Sequence, residues 1–350
     1  MDNLRAGMIG YGFAGSTFHA PVLTAVPGIE LVKVVERSTS RSKERYPHIE
    51  VVSDVQSLYR DDSLGLIIVT TPSTDHYTFI RDALLSGKHV VVEKPFTVTS
   101  AEADELIELA SSLGLMLSVY HNRRWDGDYL TIQELLKEGL LGEVVEAEFH
   151  WDYFSPHARQ GNWREQALPG AGILYDLGVH FLDQAMGLFG KPEAIEADVR
   201  IQREGGQAHD YFDLTLRYKG QLKVVMKSSK QVREPYPRYV LHGTRGSFVK
   251  YGLDPQEDAL KSGHTPSTPG YGIEREEAWG KLHTHIGELR VEGRVATLPG
   301  SYAAYYQNIY EHIRNGAELA VKPQQARMTI RLVELALQSA AERRMIEIDY

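Results

Sequence analysis

Apolar residues follow two different rhythms along this chain. Up to about residue 120 they gather in short strand-like segments, at residues 6–10, 30–35, 65–70, 89–92 and 115–120, and those at 65–70 and 89–92 are continuous β-branched runs. Runs without alternation suit strands of a parallel sheet covered on both faces. Helical stretches separate them. One is predicted over 101–113, with Thr99 or Ser100 as its cap and Leu106, Ile107, Leu109, Ala110 and Leu113 near helical spacing. Strands alternating with helices predict βαβ units and a doubly wound sheet.

Beyond His121 the rhythm changes. A helix over 129–138 leads to a long strand over 144–153, where Val145, Ala147, Phe149, Trp151 and Tyr153 alternate with Val144, Glu146, Glu148, His150 and Asp152. After a helix over 174–188, strands are predicted at 194–202, 211–218, 222–229, 239–243 and 247–251, with no helix between them. The expectation is a large open antiparallel sheet covered by helices on one face, an α+β domain over 121–350 following an α/β domain over 1–120. Residues 254–300, rich in Pro, Gly, Ser and Thr, read as an excursion before two helices at 302–315 and 324–342.

Composition narrows the function. The 350 residues include no cysteine, which excludes disulfides, thiolate metal sites and cysteine nucleophiles. Lys plus Arg number 38 against 47 Asp plus Glu, a formal charge of −9 that disfavours nucleic acid or an anionic membrane as partner. No apolar run reaches membrane-spanning length, and the first residues lead straight into a strand rather than resembling a signal peptide, so a cytoplasmic protein is expected.

Gly10-Tyr11-Gly12-Phe13-Ala14-Gly15 fits G-x-G-x-x-G where a strand ends and a helix opens. Gly10 permits the turn, Gly12 lets backbone approach a pyrophosphate, and Gly15 lets helix and strand pack closely. Glu36 ends the second strand, where a carboxylate accepts from an adenosine ribose and slightly favours NAD. Arg37 and Ser38 follow, and such a pair suits the 2′-phosphate of NADP. Glu93-Lys94-Pro95 ends a later strand, at the border of the ligand crevice, where Lys94 is either a working cation or a partner of Glu93. Asp176 and His180 stand four apart on one helix, and His is the side chain best poised to exchange a proton near neutrality. Such a pair also serves as a local hydrogen bond. His283 and His285 lack a third ligand nearby and read as solvated loop residues, so no metal is expected.

These motifs, with Thr71-Pro72 and Asp176-Leu177-Gly178-Val179-His180, resemble the glucose-fructose oxidoreductase/inositol dehydrogenase (Gfo/Idh/MocA) family over essentially the whole chain. Phe18-His19-Ala20-Pro21, residues 121–126, Trp163-Arg164-Glu165 and residues 250–257 are similar to its bacterial scyllo-inositol 2-dehydrogenase-like members. The resemblance implies an N-terminal Rossmann domain and hydride transfer between a nicotinamide (NAD or NADP) and a secondary alcohol of an inositol-like polyol or sugar. It implies catalytic roles for Lys94 and His180, with Asp176 orienting substrate hydroxyls. Nucleotide contacts are implied for Gly10, Gly12, Phe13, Ala14, Gly15, Glu36, Arg37, Ser38, Thr70, Thr71, Pro72, Ser73, His76, Glu93, Lys94 and Asn122. Asn122, Arg123, Arg124, Tyr153, Trp163 and Arg164 are candidates to hold the substrate, and Trp125 equally suits core packing. Relatives pair through the open sheet face, so a homodimer, or a homotetramer built from it, is expected. A nucleotide-sensing binding protein of the same fold and a methyltransferase are the competing functions. A sensor needs neither Lys94 nor His180, and methyl transfer has no use for the Lys94 cation.

Overall fold

The computed structural model describes residues 3–159 and 161–350. The chain forms two compact units. The first comprises Met1–Trp125, Pro255–Tyr271 and Ser301–Met328; the second comprises Asp126–Asp254, Gly272–Gly300 and Thr329–Tyr350.

The first unit holds six strands, β1 (Leu4–Ile9), β2 (Ile29–Val35), β3 (Glu50–Val52), β4 (Leu66–Val69), β5 (His89–Val92) and β6 (Leu117–Val119). They lie in the order β3-β2-β1-β4-β5-β6, all parallel, so the order reverses between β1 and β4. Every residue of β4 is fully buried, which explains its unbroken apolar run. The helix Ser100–Ser112 opens on a capping box: Thr99 accepts from the Glu102 N–H, and Glu102 accepts from the Thr99 N–H.

The helix Ala303–Asn315 also belongs to this unit. Tyr302, Tyr305, Tyr306 and Ile309 are buried in one core with Leu4, Leu31, Ile68 and Tyr120. The expected division at residue 120 therefore describes only the first passage of the chain. Helical spacing marks a buried face but does not say which core receives it. Trp125 packs edge-on to Tyr305, 5.6 Å between centroids, as the core-packing reading has it.

The second unit is built on nine strands: β7 (Val144–His150), β8 (Ala194–Arg200), β9 (Tyr211–Arg217), β10 (Lys223–Ser229), β11 (Tyr239–Gly243), β12 (Ser247–Lys250), β13 (Gly280–Ile286), β14 (Leu289–Val295) and β15 (Ile346–Glu347). Their order is β14-β13-β12-β11-β7-β10-β9-β8-β15. All pairs are antiparallel except β7 with β10, which run parallel. On one face Ala147, Phe149, Phe212, Leu214, Leu216, Val224 and Met226 are buried, and the helix Val179–Phe189 lays Phe181 against Phe149 and Phe212. The other face carries charges in cross-strand register: Lys223 beside Glu146 at 3.7 Å, Lys227 beside Asp213 at 3.8 Å. The excursion expected over 254–300 instead contains the helix Gln256–Lys261 and the β13–β14 hairpin. His283 and His285 are thus strand residues, not loop residues. His283 lies 3.4 Å from Glu292 on the opposite strand, and no cluster of metal-ligating side chains occurs among the described residues.

Candidate active site

In the first unit the glycine turn follows β1 and opens into helical backbone at Phe13. Gly10 has φ +94°, a conformation that L side chains rarely adopt. A Cβ on Gly15 would meet the Gly10 carbonyl oxygen at 2.7 Å, whereas one on Gly12 would meet nothing within 4 Å. Gly12 therefore offers open backbone above a tightly packed turn, a cradle that fits a dinucleotide pyrophosphate. Thr70, at the end of β4, donates its hydroxyl to the carbonyls of Ile9 and Gly10, at 3.2 and 2.9 Å. Its side chain is a strut beneath the turn.

Glu36 follows β2 and has partners of its own. Its carboxylate is buried and turned into its own loop: Oε2 accepts from the Thr39 hydroxyl at 2.5 Å and the Arg41 N–H at 3.0 Å, and Oε1 from the Ser42 N–H at 2.9 Å. Burial alone would raise its pKa, but these hydrogen bonds prevail and hold it below the usual carboxylate value. Both oxygens are thus engaged by donors of residues 39–42. Arg37 and Ser38 are exposed, and the Arg41 guanidinium donates to the Tyr11 carbonyl of the glycine turn at 3.3 Å.

Glu93-Lys94-Pro95 follows β5, with the Lys94–Pro95 peptide cis. The Glu93 carboxylate accepts from His19 Nε2 at 2.8 Å and from the Lys94 N–H at 3.0 Å. His76 is fully buried, with Nε2 3.0 Å from the Thr71 carbonyl and Nδ1 2.9 Å from that of Pro95. Burial pushes its pKa down, against those carbonyls. It braces the Thr71 loop against the Lys94 turn. Arg123 is buried in an ion pair with Glu257, and Arg124 donates to the Ala320 carbonyl at 2.7 Å and to Gln325 at 3.1 Å. Both side chains tie distant segments of this unit together.

The second unit gathers the other candidates. Asp176 lies in a π-helical turn, Leu174–Gly178, that runs directly into the helix carrying His180. Single π turns recur at functional positions, and the glycine-turn helix of the first unit has one too, over Gly15–His19. Arg164 Nε lies 3.4 Å from Asp176 Oδ1, and its guanidinium sits 4.8 Å from the Trp163 ring centroid. Burial pushes the Tyr153 pKa up, with Asp176 and Glu165 adding to it. His180 is buried, 6.5 Å from the Trp151 ring.

Sequence reasoning missed what supports this cluster. Glu165 is buried between Lys230, at 3.0 Å, and Arg203, at 3.2 Å, and Arg203 also donates to Asp210 at 2.7 Å. Burial would raise the Glu165 pKa, but the Arg159 N–H and Lys230 prevail and lower it. The buried Arg238 guanidinium lies 5.0 Å from the Trp151 ring centroid. Buried charges this far apart in sequence leave no local signal.

A doubly wound sheet with a dinucleotide-type glycine turn, joined to a sheet domain carrying an Asp–His helix, defines a nicotinamide-dependent oxidoreductase. The family comparisons agree: residues 4–121 match the oxidoreductase family's NAD-binding Rossmann fold and residues 133–348 its C-terminal alpha/beta domain, so the chain belongs to the Gfo/Idh/MocA family. It is 45% identical over 342 residues to YdgJ, an uncharacterized oxidoreductase of Escherichia coli (strain K12), covering 98% of each chain. It is 40% identical to the scyllo-inositol 2-dehydrogenase (NADP(+)) IolW of Bacillus subtilis (strain 168), covering 100% of this chain and 97% of that one. The solved structure of the Bacillus subtilis oxidoreductase yvaA superposes with a TM-score of 0.96 at 40% identity, covering 99% of each chain. No helix among the described residues is long and apolar enough to cross a membrane.

Proposed function

We propose that this oxidoreductase is an NADP(H)-dependent dehydrogenase acting on a secondary hydroxyl of a cyclic polyol or sugar, with scyllo-inositol the first substrate to try. The cluster of Tyr153, Trp163, Arg164, Asp176 and His180 carries the polyol part of the reading. A polyol needs several hydrogen-bonding groups, because a buried unpaired hydroxyl costs about 1–3 kcal/mol. The name of the relative IolW supports the same class. Bound nicotinamide supplies the hydride chemistry. Gly10, Gly12 and the backbone of residues 13–15 hold its dinucleotide. His180 takes the proton of the reacting hydroxyl, Lys94 stabilises the oxygen as negative charge develops, and Asp176 accepts from a neighbouring hydroxyl.

The preference for NADP replaces the slight lean to NAD drawn from Glu36. With that carboxylate committed to Thr39, Arg41 and Ser42, exposed Arg37, Ser38 and Arg41 are the groups offered to a 2′-phosphate. Nucleotide titration followed by steady-state turnover on a panel of inositols and sugars tests both parts. NADP+ should bind at least about tenfold tighter than NAD+, a difference of ~1.4 kcal/mol. Equal or tighter NAD+ binding removes the cofactor assignment, and nucleotide binding without turnover on any panel member removes the polyol or sugar substrate.

The charged open face of the nine-stranded sheet, with Lys223–Glu146 and Lys227–Asp213 in register, supports pairing with a second copy about a two-fold axis. Light scattering at micromolar concentration should give two or four times the 39.4 kDa chain mass, and the monomer mass would end that proposal.

A further inference from the structure

Phe18-His19-Ala20-Pro21 stands out in the sequence, yet no step above uses it. The structure places His19 in the π turn Gly15–His19, fully buried, with its ring 4.2 Å from that of Tyr120. Its two nitrogens face different partners. Nδ1 lies 2.5 Å from the Tyr306 hydroxyl and Nε2 lies 2.8 Å from Glu93 Oε1. An ionised carboxylate only accepts, so Nε2 carries the proton; in a neutral ring Nδ1 then accepts from Tyr306. The other Glu93 oxygen accepts from the Lys94 backbone N–H at 3.0 Å. One hydrogen-bonded chain thus runs from Tyr306 on the helix Ala303–Asn315, through His19 beside the glycine turn, to the turn that carries Lys94. All of its members lie within the first unit.

We propose that His19 is a positioning residue for Lys94: anchored on Tyr306, it fixes the Glu93 carboxylate, and through it the backbone on which the Lys94 ammonium is mounted. A carboxylate left to rotate would no longer hold the Lys94 N–H, and about 1 Å of drift at a reacting group lowers turnover by about 100-fold. The inference rests on the reading of Lys94 as the cation that serves the substrate oxygen.

The test compares His19→Leu, His19→Gln and Tyr306→Phe, each in the wild-type and Lys94→Ala backgrounds. Gln can donate to Glu93 and accept from Tyr306, so it is the conservative variant. With scyllo-inositol and NADP+, His19→Leu should lower kcat by about 100-fold and Tyr306→Phe by about tenfold, while His19→Gln stays within about fivefold of wild type. NADPH affinity, read by its fluorescence, should change less than about twofold in all three, and none should lower turnover further once Lys94 is Ala. A second readout needs no substrate. After reductive 13C-methylation, the Lys94 resonance, assigned by its absence in Lys94→Ala, should shift in His19→Leu and Tyr306→Phe but not in His19→Gln. An unshifted resonance in either folded variant overturns the proposal, and Tyr306→Phe decides it if His19→Leu does not fold. Full turnover by Lys94→Ala would instead remove the reading of Lys94, leaving the resonance to judge the positioning role separately.

Discussion

Around the glycine turn of the first unit, side chains mostly serve the backbone. Thr70 braces the Gly10 carbonyl, Glu36 organises residues 39–42, His76 spans two carbonyls, and His19 reaches the Lys94 N–H through Glu93. In the second unit the candidate groups are the side chains themselves. Asp176 and His180 stand on one helical stretch and Trp163 and Arg164 on a short 3-10 turn, whose Glu165 joins the buried charges of Arg203, Lys230 and Asp210. A pyrophosphate is recognised by N–H groups, so backbone geometry is what the first unit must hold. A polyol, the proposed substrate, is recognised by hydroxyl partners in specific places, so a unit that serves it must hold side chains.

The largest effects should come where a side chain meets the reacting atoms. His180→Ala in the second unit and Lys94→Ala in the first should each lower kcat by at least about 100-fold, within the range for acid–base groups. Nucleotide affinity should be nearly unchanged for His180→Ala. Near-normal turnover of His180→Ala on the true substrate would break the division of labour between the units.

The next prediction concerns the backbone side of the comparison. Gly15→Val forces a side chain against the Gly10 carbonyl and should weaken NADP+ binding by at least about tenfold, with a stability loss of about 1–3 kcal/mol. Nucleotide titration and thermal melting measure the two. Glu36→Gln is the paired control. If the carboxylate faced the ribose, removing its charge would shift preference towards NADP; turned inward as it is, the NADP/NAD ratio should move less than about threefold.

His209 sharpens the second-unit side. It packs against Gly172 and sits 3.4 Å from the Leu174 N–H, at the entrance to the helix of Asp176. Burial lowers its pKa from 6.5 to about 4. The unfolded chain therefore binds a proton that the folded chain refuses between those values. The contribution is fully present above about pH 6.5 and is lost as pH falls towards 4, by up to about 3 kcal/mol. His209→Leu should flatten this part of the stability–pH curve. A wild-type curve already flat there would show that the ring is solvated. The smallest effect belongs to Thr99→Ala, which removes the capping box of Ser100–Ser112 and should lower stability by about 1 kcal/mol with turnover unchanged.

The sequence by itself determined whatever depends on neighbours within a few positions. Apolar segments marked five of the six parallel strands, missing β3, the pattern beyond residue 121 marked β7 to β12 of the large sheet but not β13, β14 or β15, and the spacing of Asp176 and His180 placed them on one helix. Gly10, Gly12 and Gly15 were legible because their requirement is steric and local. Only the tertiary structure decided what each polar side chain meets. Glu257 is 134 residues from its partner Arg123, Tyr306 is 287 residues from His19, and Glu165 is 65 residues from Lys230. It likewise decided that β7 and β10 run parallel, that 303–315 joins the first core, and that His283 and His285 lie on a strand. Periodicity says that a face is buried but carries no address for the surface that buries it. A carboxylate such as Glu36 takes whichever donors the fold brings nearest, and that choice is made by packing.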